Sequence, residues 1–292
     1  MPEPPGVLAK PTVVGKKPRL IARASSRAIA LDATHIYYGD SEDDALYAIP
    51  KAGGTAVHLA RHAPVAGAIA LDGEFLTWIA SPGDAVHKVS VKGGQPTTLR
   101  DRGIFSDVGA AGGDIFITEA IGAGGALLRV TGSTAVRLAA FDGPPRAVMT
   151  DATHVYVITP TKIFRTPHLK GEFQTIATGT NFNYPEIDDA FVYALADVDR
   201  AHVVVRFPKA GGPMTTIARD VRDVAAELAG KEFLYIDATR PQLRSVPIGG
   251  GESHVVSEDE SFSGVTAVES DAATIYVAAG ARESGVILAI DR

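Results

Sequence analysis

The sequence predicts an all-β ring, a seven-bladed β-propeller with four antiparallel strands per blade. Three observations carry this. A motif best seen as AIALDATHIYY from Ala28 recurs along the whole chain, anchored on Asp32, Asp72, Ala111, Asp151, Asp188, Ala229 and Asp271, with a period near forty residues. Thirty Gly and eighteen Pro supply the many reversals that such a fold needs. Finally, the last copy stops one strand short at Arg292, while the N-terminal segment Val13 to Arg23 (VVGKKPRLIAR) aligns with the fourth-strand segment Lys51 to Arg61 (KAGGTAVHLAR). An N-terminal strand that completes the last blade would close the ring and remove an exposed sheet edge.

Within the first copy, Ala28 to Leu31 is a short apolar run ending at Asp32. Asp32-Ala33-Thr34-His35 reads as a turn, because Asp and Thr side chains bond nearby backbone N–H groups. His35 to Gly39 is aromatic and β-branched, and predicts the second strand. Residues 40 to 45 are polar and predict a loop. Leu46 to Pro50 is the third strand, Lys51-Ala52-Gly53-Gly54 the hairpin turn, and Val57 to Ala60 the fourth strand. Pro50, Pro167, Pro208 and Pro247 recur at the end of third strands, where a missing N–H is tolerated. The stretch Arg222 to Phe233 (RDVAAELAGKEF) has helical composition, but the repeat register requires an inner strand there. GAGGA at Gly122 to Ala126 reads as a flexible loop between strands. In domain terms, residues 1–12 form a Pro-rich tail or linker and residues 13–292 a single propeller.

Composition narrows the function. Net charge is −6 with both signs interspersed, so the basic stripe that nucleic-acid binding requires is missing. No apolar run approaches the about eighteen residues of a membrane span, and a soluble protein is expected. Cysteine is absent, which excludes disulfides, thiolate metal sites and a Cys nucleophile. The opening MPEPPGVLAKPTVV has no signal-peptide pattern. An exported, periplasmic or cell-surface protein whose leader precedes this chain is the expectation, and a cytoplasmic protein the alternative.

The string IYYGD at Ile36 to Asp40, followed by LYAIPKAGG, resembles the YWTD-type repeats of receptor propellers. It looks still more like a group of bacterial propellers whose repeats read roughly IA-D-THVYW with a later PK-GG turn. The resemblance covers essentially the whole chain and implies a fold. For the bacterial group it also implies export, and it implies no ligand. IFITEA at Ile115 to Ala120 has the flavour of streptogramin lyase repeats, but the His and Glu arrangement that those enzymes imply has no counterpart in this sequence.

Chemistry-bearing residues are few. His35 and His154 share one register in two DATH turns and read as structural. His58 and His254 fall on fourth strands, His87 on a third strand and His168 in a hairpin turn, leaving His62 and His202 on loops of one face. Metal spacing of the HExxH kind, a GxSxG elbow and a phosphate loop are all absent. At the inner-strand position of Ala30, the equivalents are Ala70, Gly109, Met149, Glu186, Glu227 and Glu269, so three consecutive blades carry Glu towards the central channel. Unpaired carboxylates there require water, partners or a bound cation, and Ca²⁺ or Mg²⁺ is the metal such oxygens would prefer. Asp40, Arg146, Asn181, Asn183, Tyr184, Asp197 and His202 are the ligand-face candidates, from loops on that same face. The expected function is a non-enzymatic scaffold for a protein or small polar ligand. The alternative is a lyase, lactonase or hydrolase using the channel carboxylates, with Glu186 the best-placed acid or base.

Overall fold

A computed structural model describes residues 15–169, 171–280 and 284–292. Among the described residues, twenty-eight strands form seven separate four-stranded antiparallel sheets arranged as blades. The first six blades are β2–β5 (residues 29–60), β6–β9 (65–101), β10–β13 (105–142), β14–β17 (147–178), β18–β21 (183–219) and β22–β25 (221–258). Blade seven has the order β1-β28-β27-β26, with β26 at Val265–Ser270, β27 at Thr274–Ala279, β28 at Val286–Asp291 and the N-terminal β1 at Arg19–Arg23 outermost. Leu20 pairs with Leu288 and Arg23 with Val286, which is the expected closure. Val13 and Val14 of the aligned segment lie outside the described residues.

Each blade interface holds its own apolar cluster. Trp78 and Tyr37 lie between blades one and two, and Ile21, Ile29, Tyr38 and Tyr276 between blades seven and one. Phe262 fills the interface of blades six and seven from a 3-10 turn at Glu260–Gly264. This is how a sheet that is apolar on both faces becomes buried without a second layer: each blade serves as its neighbour's core.

The Asp turns have the structural role expected of them. Asp32 Oδ1 accepts from the Thr34 and His35 N–H groups, both at 2.6 Å, and Oδ2 accepts from the Tyr37 hydroxyl at 2.5 Å. Asp151 repeats this with Thr153, His154 and Tyr156, and Asp188 with Ala190, Phe191 and Tyr193. Lysines then tie blades together: Lys209 Nζ donates to Asp151 at 2.6 Å and Lys51 Nζ to Asp271 at 2.7 Å.

Residues 222–229 belong to strand β22 (Val221–Ala229), so the repeat register wins over helix propensity. Two loop expectations are corrected. GAGGA is not a free loop: β11 (Asp114–Ile121) and β12 (Gly124–Thr131) form a tight hairpin, and Gly124 to Ala126 lie in β12. A Cβ on Gly125 would sit 2.6 Å from the Phe141 ring and 2.7 Å from Pro145, so the glycine is there for close approach. His202 likewise stands in strand β20 (Ala201–Pro208), opposite Asp197 of β19 (Phe191–Val198), and the turn is only Asp199-Arg200, both with positive φ.

Candidate functional site: a bowl above an acidic shaft

The seven inner strands fix the register of the channel wall. Ala30 pairs with Tyr37, Ala70 with Thr77, Gly109 with Phe116, Met149 with Tyr156, Glu186 with Tyr193, Glu227 with Leu234 and Glu269 with Tyr276. The same cross-strand position therefore carries Glu in blades five, six and seven, and blade six needs no shift.

A shaft of about 210 Å³ runs between these strands, lined by Arg27, Asp107, Tyr184, Glu186 and Glu269 with an apolar wall that includes Ile29, Ile69 and Val268. Above it opens a bowl of about 840 Å³, lined by Ser25, Ser26, Arg27, Ser41, Glu42 and Tyr184 among others. Arg27, Gly67, Tyr184 and Thr266 line both, so bowl and shaft are one continuous cavity.

The carboxylates differ in their bonding. Glu227 is buried, and its Oε1 accepts from the Ser270 N–H at 3.1 Å and the Ser270 hydroxyl at 2.9 Å. Asp107 Oδ2 accepts from the Val148 N–H at 2.8 Å, and Oδ1 from its own neighbour Val108 at 2.9 Å. Both satisfy backbone donors on the free edge of an inner strand. No hydrogen bond from a described residue reaches Glu186 or Glu269, and both side chains are partly enclosed on the shaft wall.

That enclosure sets the proton affinities. Burial pushes Glu186 well above the ordinary carboxylate range, and the charges of Glu227 and Glu269 push it further. Burial does the same to Glu269, with Glu227 adding to it. Burial raises Glu227 to about 7 against the opposing pull of the Ser270 hydrogen bonds and Arg292. Asp107 is raised to about 7 by burial, against its two backbone donors. Glu186, Glu227 and Glu269 thus feel one another's charge, yet among the described residues no three His, Asp or Glu side chains are grouped closely enough to hold a metal ion.

At the rim, blades four, five and six meet through Arg146. Its Nη1 donates to Asn181 Oδ1 at 2.7 Å, Asn183 Oδ1 at 2.8 Å and the Phe182 carbonyl at 3.1 Å. Both Asn amides donate onward to Asp223, Asn183 at 3.0 Å and Asn181 at 3.2 Å. This network carries Tyr184, 38% exposed with φ of 46°, at the junction of bowl and shaft. Asp40 is placed differently: its Oδ1 accepts from the N–H groups of Ser25 and Glu42 and so braces two segments of the bowl wall. Asp197 Oδ1 and His202 Nδ1 stand 2.5 Å apart on the β19–β20 hairpin, and the two residues line neither bowl nor shaft.

The sequence reading missed Arg27, Asp223 and Asp107. Asp107 was recoverable: it stands two residues before Gly109 on one strand, hence on the same face as the Glu position. Arg27 and Asp223 lie at or just ahead of the inner-strand motif, in segments that differ from blade to blade and offer no register to read.

The fold and this central cavity define a closed seven-bladed β-propeller. No protein-family model matches the chain, and no curated protein matches it. Among solved structures, virginiamycin B lyase from Staphylococcus aureus is similar with a TM-score of 0.75 at 12% identity, covering 94% of this chain and 98% of that one. The WD40 propeller domain of Doa1 has a TM-score of 0.70 at 12% identity, over 94% and 97% of the two chains. An oligogalacturonate lyase in complex with manganese has a TM-score of 0.70 at 8% identity, over 96% and 89%. At such identities the likeness is one of fold alone, shared by enzymes and by a WD40 domain.

Proposed function

We propose that this chain is a non-enzymatic binding propeller that takes a small polar ligand, or a segment of a protein, at the bowl. The observation that supports this is the continuity of the bowl with the shaft: Arg27, Tyr184 and Thr266 serve both, so a ligand seated in the bowl reaches the shaft carboxylates. The hydroxyl-rich wall of Ser25, Ser26 and Ser41 suits polar groups, and Tyr184 supplies a flat apolar face with a polar tip. No His lines either cavity among the described residues, so an imidazole acid–base pair has no place in this reading. Export of the protein remains part of the proposal and rests on the resemblance to bacterial propellers. A polar fragment library screened by ligand-observed NMR tests the site. Fragments held by the wild type should be released by an Arg27→Ala/Tyr184→Ala variant that melts normally, and hits that persist unchanged would move the site elsewhere.

One observation favours the enzyme reading as a second choice. Burial raises Asp107 and Glu227 to about 7, where a carboxyl can serve as a general acid or base. Lyase, lactonase or hydrolase turnover that Asp107→Asn or Glu227→Gln abolishes would establish it over the binding reading.

A further inference from the structure

The shaft has an unusual division of labour. Asp107 and Glu227 spend their oxygens on backbone and serine donors, whereas Glu186 and Glu269 line the cavity, are partly buried, and accept no hydrogen bond from any described residue. A carboxylate partly withdrawn from bulk water without a protein partner gains from an external donor, and two in one cavity leave room for one. Arg27 lines the same cavity, yet no ion pair joins it to either glutamate.

What kind of donor fits follows from spacing and lining. The carboxylates are near enough to feel one another but are not gathered as a metal-ligand set among the described residues. A hard divalent ion needs its oxygens converged on one point. Charges that are separated along a cavity are better met by a ligand whose own charges are separated. Between the acids the wall is apolar, with Ile29, Ile69, Ala226 and Val268, which suits methylene segments. The shaft's volume of about 210 Å³ admits a slender chain and not a ring system of any size. Tyr184 stands at the neck, where a ring face attracts an ammonium group.

We propose that the shaft binds a small linear polyamine, one ammonium group seated between Glu186 and Glu269 and the rest of the chain extending past Tyr184 into the bowl. The proposal rests on the bowl and shaft being the binding site, and gives that site its ligand class.

Isothermal titration calorimetry with the triamine spermidine, in about 0.15 M salt to screen exposed charge, tests it. Wild-type protein should bind one equivalent saturably. Glu186→Gln/Glu269→Gln should weaken binding about a hundredfold, since each of the two lost charged hydrogen bonds is worth about tenfold. A second variant, Ala267→Lys, places a tethered ammonium on the shaft wall and should weaken binding about tenfold by occupying the acids itself. Thermal melts without spermidine serve as the folding control for both. No saturable binding by wild type, or undiminished wild-type affinity in both variants, overturns the proposal. Displacement of spermidine by equimolar Mg²⁺ also overturns it, in favour of a metal ion. Failure here leaves the fragment result with Arg27→Ala/Tyr184→Ala intact, so the ligand class and the location of the site fall separately.

Discussion

Glu227 of blade six accepts two hydrogen bonds from Ser270 of blade seven, one from the backbone N–H at 3.1 Å and one from the hydroxyl at 2.9 Å. The contact closes the inner edge of blade seven with a side chain from its neighbour, and it fixes one of the three glutamates while leaving the other two for the cavity. Ser270→Ala keeps the N–H donor and removes the hydroxyl. Its expected cost is about 1 kcal/mol at pH 8 and less at pH 5, where Glu227 is protonated and relies less on donors. Chemical denaturation at the two pH values measures this, and equal losses would mean that the hydroxyl bond does not depend on the carboxylate's charge.

The shaft also sets a pH dependence of stability. Asp107 and Glu227 are raised from ordinary carboxylate values to about 7, and Glu186 and Glu269 are raised as well. The native state then holds protons that the unfolded chain has released, so Asp107 and Glu227 favour folding most below about pH 4 and progressively less up to about pH 7, and Glu186 and Glu269 lose their contribution as pH rises through their own raised values. Arg27 and Arg292 are the cations that face them, and Tyr184 the other titratable group. Glu186→Gln/Glu269→Gln should therefore raise the melting temperature at pH 8 more than at pH 4.5. An equal rise at both values would show that these carboxyls are not protonated by folding.

The Asp turns act with the opposite sign. Asp32 is lowered to about 2 and Asp151 is lowered further: burial alone would raise both, but it is outweighed by their hydrogen bonds, from Tyr37 and backbone N–H groups in one and from Lys209 first in the other. Their contribution is present above the unfolded value near 4 and is lost as pH falls through the folded one. Lys209, 8% exposed, is the cross-blade donor, so Lys209→Met should cost about 2 kcal/mol at pH 7 and keep most of that cost at pH 3, because Asp151 stays ionised in the native state there. Denaturant melts of the two proteins at both pH values check the sign.

Much of this was readable from the sequence because the repeat imposes one register seven times. Helix-like composition at Arg222 to Phe233 gave way to strand because Glu227 had to stand opposite Leu234 as Glu186 stands opposite Tyr193. The same register placed all three glutamates. Where register is silent the reading failed. Asp199-Arg200 lacks the Gly or Asn that usually marks a two-residue hairpin, so Asp197 and His202 read as loop residues. GAGGA carries turn chemistry, but two of its glycines are there to admit Phe141 and Pro145. The Arg146 network joins residues up to 42 positions apart, a proximity that only the closed ring creates.

Closure by β1 gives a direct test of the ring. Ile21 is 8% exposed within the cluster shared by blades seven and one, and β1 covers the outer edge of β28. Deleting residues 1–24 uncovers that edge and removes Ile21 and Ala24 from the cluster, so the truncated protein should aggregate or melt far below the full chain. A melt like that of the full chain would show that the other strands hold the ring without it.

The rim network supplies the last prediction, which separates rigidity from charge. Arg146 binds three acceptors through Nη1, two of them amide oxygens whose NH₂ groups are held in turn by Asp223. A lysine could carry the charge but has no planar fork to hold Asn181, Asn183 and the Phe182 carbonyl together. Tyr184 keeps its positive φ, unfavourable for a bulky residue, only while the adjoining chain is fixed. Arg146→Lys should therefore loosen residues 181–184, seen as faster amide hydrogen exchange there than in β19, and should weaken fragment binding at the bowl nearly as much as Arg146→Ala does. If Arg146→Lys binds like wild type while Arg146→Ala does not, charge alone explains the residue, and the conformation of Tyr184 does not depend on the fork.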